Sequence, residues 1–361
     1  MKKILFVVPH RINRSPGQRF RFEQYFDFLK QNNFQITYSN IISAKEDRIY
    51  YSKGKYLFKF YILLKSIFIR IYDVFRTSNF DIIFIYRESL MVGTTIFEYL
   101  FSKSKTKIVF DFDDAIWIND VSYGNSDLKW LKKPSKTSKI IKISNLIFAG
   151  NQYLADYALK YNNNVKIIPT TINTDYHKKI NCTKLDDSIC IGWTGTSTTL
   201  KHFEHSIQVL KKIKNKYKSK IYFKVIVDFP YVVEDLNLIA NQWNIDTEIE
   251  DLSEFDIGIM PLPADEWTKG KCGFKGLQYM AMEIPTIMSP VGVNNNIIED
   301  GKNGFLANDD KEWFNKLSLL IESAELRNKF GKNGRQTVLD KYSVESQKNN
   351  YLKYLNELIT K

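Results

Sequence analysis

Short apolar runs of strand length recur along the chain, each followed by a longer stretch whose apolar positions fall at helical spacing. In the first half the runs are KILFVV, FQITYS, DIIFIY, KIVFDF, NLIFAG and VKIIP. Continuous hydrophobicity marks strands buried on both faces, and its alternation with amphipathic segments predicts parallel sheets wrapped by helices. After the turn-rich PTTINTDYHKKINCTKLDD the rhythm restarts as ICIGWTG, YFKVIV, FDIGIM, IPTIMS and NGFLA. The pattern predicts an α/β chain of two doubly wound, Rossmann-like domains facing a central cleft. They are residues 1–175 and 176–342, with the boundary near 170–188. Beyond residue 310 the pattern is helical, and 343–361 reads as a terminal helix that can cross back to the first domain.

Length agrees with this division, since 361 residues suit two domains of roughly 150–200 residues better than one. The balance of 52 Lys and Arg against 40 Asp and Glu gives a net charge of +12. Such a charge favours anionic partners: phosphorylated small molecules, nucleic acid or an anionic membrane. The lysines cluster in strand-end loops instead of forming one stripe with stacking aromatics, so no nucleic-acid partner is expected. Cys182, Cys190 and Cys272 contain no CxxC pair, which argues against a disulfide framework or a zinc site and fits a reducing cytosol. The apolar run of MKKILFVVPH is short for a signal peptide, and no stretch reaches the roughly 18 apolar residues of a spanning helix. A cytoplasmic protein is expected.

Ligands of open parallel sheets collect beyond the carboxyl ends of the strands. In the first domain those ends carry HRINRSPGQRFR and DFDDAIW. His10 is read as catalytic or, like most lone histidines, as structural. Arg14, Arg19 and Arg87 are acceptor-side cations. Asp113 and Asp114 are catalytic candidates that can contact acceptor hydroxyls or pair with Arg19, Arg21 or Arg87. With Asp111 they also have the D-x-D spacing of a divalent-metal site; the contact reading is preferred and no metal is assigned.

In the second domain, ICIGWTGTSTTLKHF places Gly195, Thr196 and Lys201 between a strand and a helix start, an arrangement that can cradle an anion. Ordinary N-capping by Ser197 or Thr198 is the alternative, and the stretch is neither G-x-G-x-x-G nor a Walker A loop. GKCGFKGLQYMAMEIP repeats the logic. Gly270, Gly273 and Gly276 permit close backbone approach, Lys271 and Lys275 flank Phe274 with charge, and Leu277, Met280 and Ala281 face the core. The plainer reading is a glycine turn with solvated lysines. His177, His202 and His205 form no recognisable constellation.

GFKGLQYMAMEIPTIMSPVGVNNNIIEDGKNGFLA resembles the C-terminal signature of the family 4 retaining glycosyltransferases over about residues 256–340, and IGWTGTSTTLK does so more loosely. The resemblance implies a GT-B fold, a nucleotide-sugar donor bound by the second domain, retention at the anomeric carbon, and neither metal nor cofactor. The leaving diphosphate would be stabilised by cations and helix dipoles. The family's E-x7-E motif falls on Gly270 and Gln278, so both glutamates are absent, and Gln278 is assigned to the ribose by its hydrogen-bonding amide. Lys201 matches the family's phosphate-binding lysine, Trp193 stands about where its arginine would be, and Lys271 or Lys275 supplies the missing charge. The glutamate ahead of the family's D/E-G turn aligns with Asn296, which puts Asn294, Asn295 and Asn296 along the donor pocket.

The expected reaction moves a sugar from a nucleotide-sugar donor to a saccharide or lipid-linked saccharide acceptor in bacterial cell-surface polysaccharide synthesis. The alternatives are a GT-B sugar-nucleotide epimerase and a non-catalytic GT-B scaffold. Residues 50–76, YYSKGKYLFKFYILLKSIFIRIYDVFR, add a further partner. On a helical projection Lys55, Lys59, Lys65, Ser66, Arg70, Asp73 and Arg76 share a sector of about 140°. Either this basic helix meets an anionic membrane surface, placing the protein on the inner face of the cell membrane, or it packs on the first-domain sheet.

Overall fold

The computed structural model describes residues 1–118, 123–181 and 187–360; Cys182 lies outside the described residues. The chain divides into two compact units, Met1–Thr170 with Gln347–Lys361, and Thr171–Ser346.

The first unit contains β1 (Lys2–His10), β2 (Phe34–Ile42), β3 (Ile82–Tyr86), β4 (Lys107–Phe112), β5 (Leu146–Ala149) and β6 (Val165–Ile167). They form one parallel sheet in the order β2-β1-β3-β4-β5-β6, with Ile4 level with Ile36 on one side and Ile82 on the other. Leu5, Phe6, Ile83, Phe84 and Val109 are wholly buried, as expected of strands covered on both faces. Helix Val344–Thr360 completes this core: Tyr351 stacks on Tyr25 with ring centroids 4.6 Å apart, and Leu355 and Leu358 are buried beside it.

The second unit contains β7 (Ile189–Thr194), β8 (Ile221–Val227), β9 (Leu238–Gln242), β10 (Ile257–Met260), β11 (Thr286–Met288) and β12 (Phe305–Leu306). Their order is β12-β11-β10-β7-β8-β9, again all parallel, which is the strand order of a Rossmann fold. All strands anticipated from the apolar runs are present. β9 was not anticipated, because NLIANQ mixes polar and apolar residues; it pairs with β8 alone and, as an edge strand, need not be apolar throughout.

Helix Tyr56–Phe75 packs on the first-unit sheet, as one of the two readings of that segment expects. Lys59, Ser66, Arg70 and Asp73 are buried, while most of its large apolar residues face outward. Arg70 donates to the carbonyls of Val8, Ser39 and Ser89 and to Asp73, which also accepts from Ser39 and Arg76. The polar sector is thus the packed one. Among the described residues no helix is long and apolar enough to cross a membrane.

Candidate functional site

The strand order reverses between β1 and β3 in the first unit and between β7 and β10 in the second. At such a switch point the two following loops diverge and leave a crevice at the carboxyl edge.

In the first unit, β1 ends on His10. Its N–H donates to Gln18 Oε1 (3.0 Å), and its Nε2 lies 3.0 Å from the Tyr51 hydroxyl, while Nδ1 is buried with no hydrogen-bond partner among the described residues. Burial, aided by Arg14, Arg87 and Arg11, outweighs Asp47 and lowers the His10 pKa to about 4, so the ring is neutral. Arg11 and Arg14 both pair with Asp47. β3 runs directly into Arg87, a non-glycine residue at φ +59°. Arg87 donates from Nε to Asp113 (2.8 Å) and from Nη2 to Asp114 (2.5 Å), and Tyr86 donates its hydroxyl to Asp113 (2.9 Å). Asp111 is taken by Arg21, with both side chains inaccessible. Of the pairings considered for these aspartates, Arg87 engages Asp113 and Asp114 and Arg21 engages Asp111. The guanidinium of Arg19 lies 5.0 Å from the Phe20 ring. Among the described residues no group of three or more His, Cys, Asp or Glu is arranged to hold a metal.

In the second unit side chains hold two backbone amides of the loop after β7. Thr196 N–H donates to Thr199 Oγ1 (3.0 Å), and Ser197 N–H donates to the Asp228 carboxylate (2.7 Å). Thr199, and not Ser197 or Thr198, is the N-cap of helix Leu200–Glu204, and its side chain makes no capping hydrogen bond. A carboxylate already holds one of the amides that the anion-cradle reading required. Gly195 permits close contact here, since a β-carbon would lie 2.2 Å from the Trp193 ring. Trp193 itself is core, packed on Phe203, and cannot do an arginine's work. It does support Lys275, whose Nζ lies 5.5 Å from its ring centroid, within cation–π reach.

The cations gather on the other side of the switch point. Gly273, at φ +69°, is the N-cap of helix Phe274–Ala281. Lys271 precedes it, with Nζ 5.2 Å from the Trp267 ring, and Lys275 lies in its first turn. Lys275, Lys271 and Lys201 all act electrostatically on His202, the residue after Lys201. His202 is 3% exposed, and neither of its ring nitrogens has a hydrogen-bond partner among the described residues. Burial first, then these three lysines, lower its pKa to about 3, against a weaker opposing effect of Asp265. Asp265 is itself held by the amide and hydroxyl of Thr268. Three lysines thus surround a neutral imidazole with one nearby acid already engaged. The spacing Lys201-His202 at a helix start was the available signal for His202, and the sequence reading passed over it.

Other expected donor residues divide. Asn294 is buried beside Gly273; its Nδ2 donates to Ser289 O (2.9 Å) and its Oδ1 has no hydrogen-bond partner among the described residues. Asn295 is exposed, with its amide on the carbonyls of Pro290 and Gly292, and Asn296 is exposed next to it. Gln278 does not join the cluster. It is 1% exposed, and its Nε2 lies 3.2 Å from His177 Nε2 and 3.3 Å from Glu248 Oε1, which also accepts from Trp243. The amide assigned to a ribose is instead part of an interior polar network, because position 278 lies on the packed face of its helix.

Residues 190–323 match the family described as Glycosyl transferases group 1. The chain is 26% identical over 192 residues to UDP-N-acetylglucosamine--N-acetylmuramyl-(pentapeptide) pyrophosphoryl-undecaprenol N-acetylglucosamine transferase of Pelagibacter ubique, covering 50% of this chain and 53% of that protein. It spans about half the length of this curated relative. Among solved structures it is similar to a glycosyltransferase from Rickettsia africae (16% identity, 99% and 98% of the two chains, TM-score 0.69). It is also similar to sucrose-phosphate synthase from Thermosynechococcus elongatus (11% identity, 100% of both chains, TM-score 0.70). Anabaena HepE in complex with UDP and glucose is a third (11% identity, 99% and 100%, TM-score 0.65). At these identities the structural likeness speaks for the fold. The chain therefore has the GT-B fold of two Rossmann-like domains, and residues 190–323 of its second unit are similar to the group 1 glycosyltransferases.

Proposed function

We propose that the protein is a glycosyltransferase that moves a sugar from a nucleotide-sugar to a saccharide or lipid-linked saccharide acceptor in cell-surface polysaccharide synthesis. The carrying observation is that Lys201, Lys271 and Lys275 all act on His202 at the carboxyl edge of the second sheet, where helix Phe274–Ala281 starts. Such a preorganised set of cations and backbone dipoles suits a diphosphate, whose charge grows as the sugar leaves. The match to the group 1 family covers this same region. The Pelagibacter relative is named for transfer to an undecaprenol-linked acceptor, which supports the lipid-linked alternative.

The transfer is metal-independent and retaining in this reading. Lysines and the helix dipole take the role a divalent ion would have, and Asp113 and Asp114 answer to Arg87. His10, Arg14, Arg19 and Arg87, with the two aspartates, make the acceptor side, and the protein works in the cytoplasm at the inner face of the membrane.

Thermal unfolding in the presence of a panel of nucleoside diphosphates tests the donor site. At least one should raise the melting temperature, and Lys271→Ala or Lys275→Ala should remove the rise while leaving the unliganded transition in place. No shift with any nucleotide at millimolar concentration would sink the reading. Release of nucleoside diphosphate only when acceptor is added separates transfer from epimerisation, and product NMR reads the anomeric configuration.

A further inference from the structure

Helix Tyr56–Phe75 is built inside out. Its interior face holds Lys59, Ser66, Arg70 and Asp73, and its outer face exposes Leu57 (85%), Phe68 (69%) and Phe75 (83%). At 100° per residue Phe60, Leu57, Phe68, Tyr61 and Tyr72 follow one another around an arc of about 120° that contains no polar side chain. The buried residues occupy the opposite arc. Turning the helix by half a revolution would bury the aromatics and release the charges, so the observed packing sacrifices apolar burial and sequesters ions together. A contiguous apolar surface of this kind marks a site of interaction.

Three features identify the occupant. The arc is wider than the narrow seam by which two helices zip together, and suits a flat apolar medium. The helix's single acid, Asp73, is buried, while Lys53 and Lys55 are exposed where it begins. The neighbouring helix Ile96–Ser102 continues the surface with exposed Ile96 and Tyr99, followed by exposed Lys103 and Lys105. An apolar aromatic centre with a cationic rim complements a bilayer of anionic lipids.

We propose that helix Tyr56–Phe75 lies in the surface of an anionic bilayer with its aromatic face among the acyl chains and the flanking lysines on the headgroups. The sequence reads a basic helix at an anionic membrane; with Lys59 and Arg70 buried, the aromatic face makes that contact instead. It rests on the transferase reading only for its purpose, which is to bring the first unit to a lipid-linked acceptor.

The test is co-sedimentation of the full chain with vesicles of phosphatidylcholine alone or mixed with phosphatidylglycerol. Binding to the anionic vesicles is expected, and the double variant Leu57→Glu, Phe68→Glu should weaken it at least about tenfold while keeping the wild-type melting temperature. Phe68→Trp should bind with a blue-shifted emission that brominated lipids quench. Wild-type binding by the double variant, or no quenching of the tryptophan, overturns the proposal. So does a chain that ignores vesicles but elutes as a dimer broken by the double variant, which assigns the face to a second copy. Nucleotide-induced stabilisation is read on the same samples: its absence with vesicle binding intact refutes the donor site and leaves the membrane face standing.

Discussion

A β-carbon on Gly273 would lie 2.2 Å from Cδ1 of Ile297 and 3.4 Å from Oδ1 of Asn294. The helix that carries Lys275 therefore starts hard against the segment after β11, and φ +69° at this position disfavours any side chain. Gly273→Ala is expected to destabilise the protein by roughly 1–3 kcal/mol through strain and displacement. Lys275 should move with the helix start, so calorimetric titration should show weaker nucleoside diphosphate binding. Wild-type affinity in a folded Gly273→Ala variant would show that this close approach does not position the cations.

His202 gives a prediction in pH. Its folded pKa of about 3 lies below its ordinary 6.5, so its contribution to stability is complete above pH 6.5 and is lost as the pH falls towards 3. His10 behaves alike down to about 4. Each pH unit below 6.5 should remove roughly 1.4 kcal/mol per histidine. In His202→Leu the acid slope of the melting temperature should be shallower than in wild type, while nucleotide affinity falls. His202 should add nothing to the pH dependence of nucleotide affinity between pH 6 and 8, because its imidazole stays neutral throughout, so wild type and His202→Gln should show the same profile, set by the ligand's own phosphate.

Gln278→Glu should be harmful. Glu248 Oε1 lies 3.3 Å from the Gln278 amide nitrogen, so a glutamate there would bring two buried carboxylates together. A loss of roughly 2–4 kcal/mol is expected. The new acid's folded pKa would be raised, so the deficit should be small near pH 5 and grow towards pH 8. A deficit independent of pH would mean that charge repulsion is not its cause.

Chelators should leave turnover unchanged. Arg87→Ala should lower activity at least about tenfold, because it releases Asp113 and Asp114 from their common partner and removes an acceptor-side cation. Activity that vanishes with chelator and returns with magnesium would restore the aspartates to a metal-binding role.

The sheets were legible because parallel strands buried on both faces leave uninterrupted apolar runs, and β9 escaped because an edge strand does not. Lys201, Lys271 and Lys275 were singled out because they lie in the loops and helix starts after strands, where ligands of parallel sheets collect, and their donor role remains a proposal. His202 was not, since a histidine's identity says nothing of its burial or of which cations the fold brings to it. Gln278 misled because sequence position within a helix does not say whether that residue looks towards a ligand or towards Glu248. The Tyr56–Phe75 helix packs on the first-unit sheet, one of the two readings of that segment, and its projection separates polar from apolar correctly; which half faces inward depends on the waiting carbonyls of Val8, Ser39 and Ser89.

Tyr25 stacks on Tyr351, and Lys2 reaches Asn356, so the first unit is woven from both ends of the sequence. Its order of assembly during synthesis follows from that. Residues 1–170 emerge first but cannot finish their core, and the intervening unit 171–346 is continuous and can fold before the closing helix has been made. Until that helix arrives, the rings of Tyr25 and Phe148 lack their cover, so a chain cut after residue 346 would hold a finished second unit and an open first one.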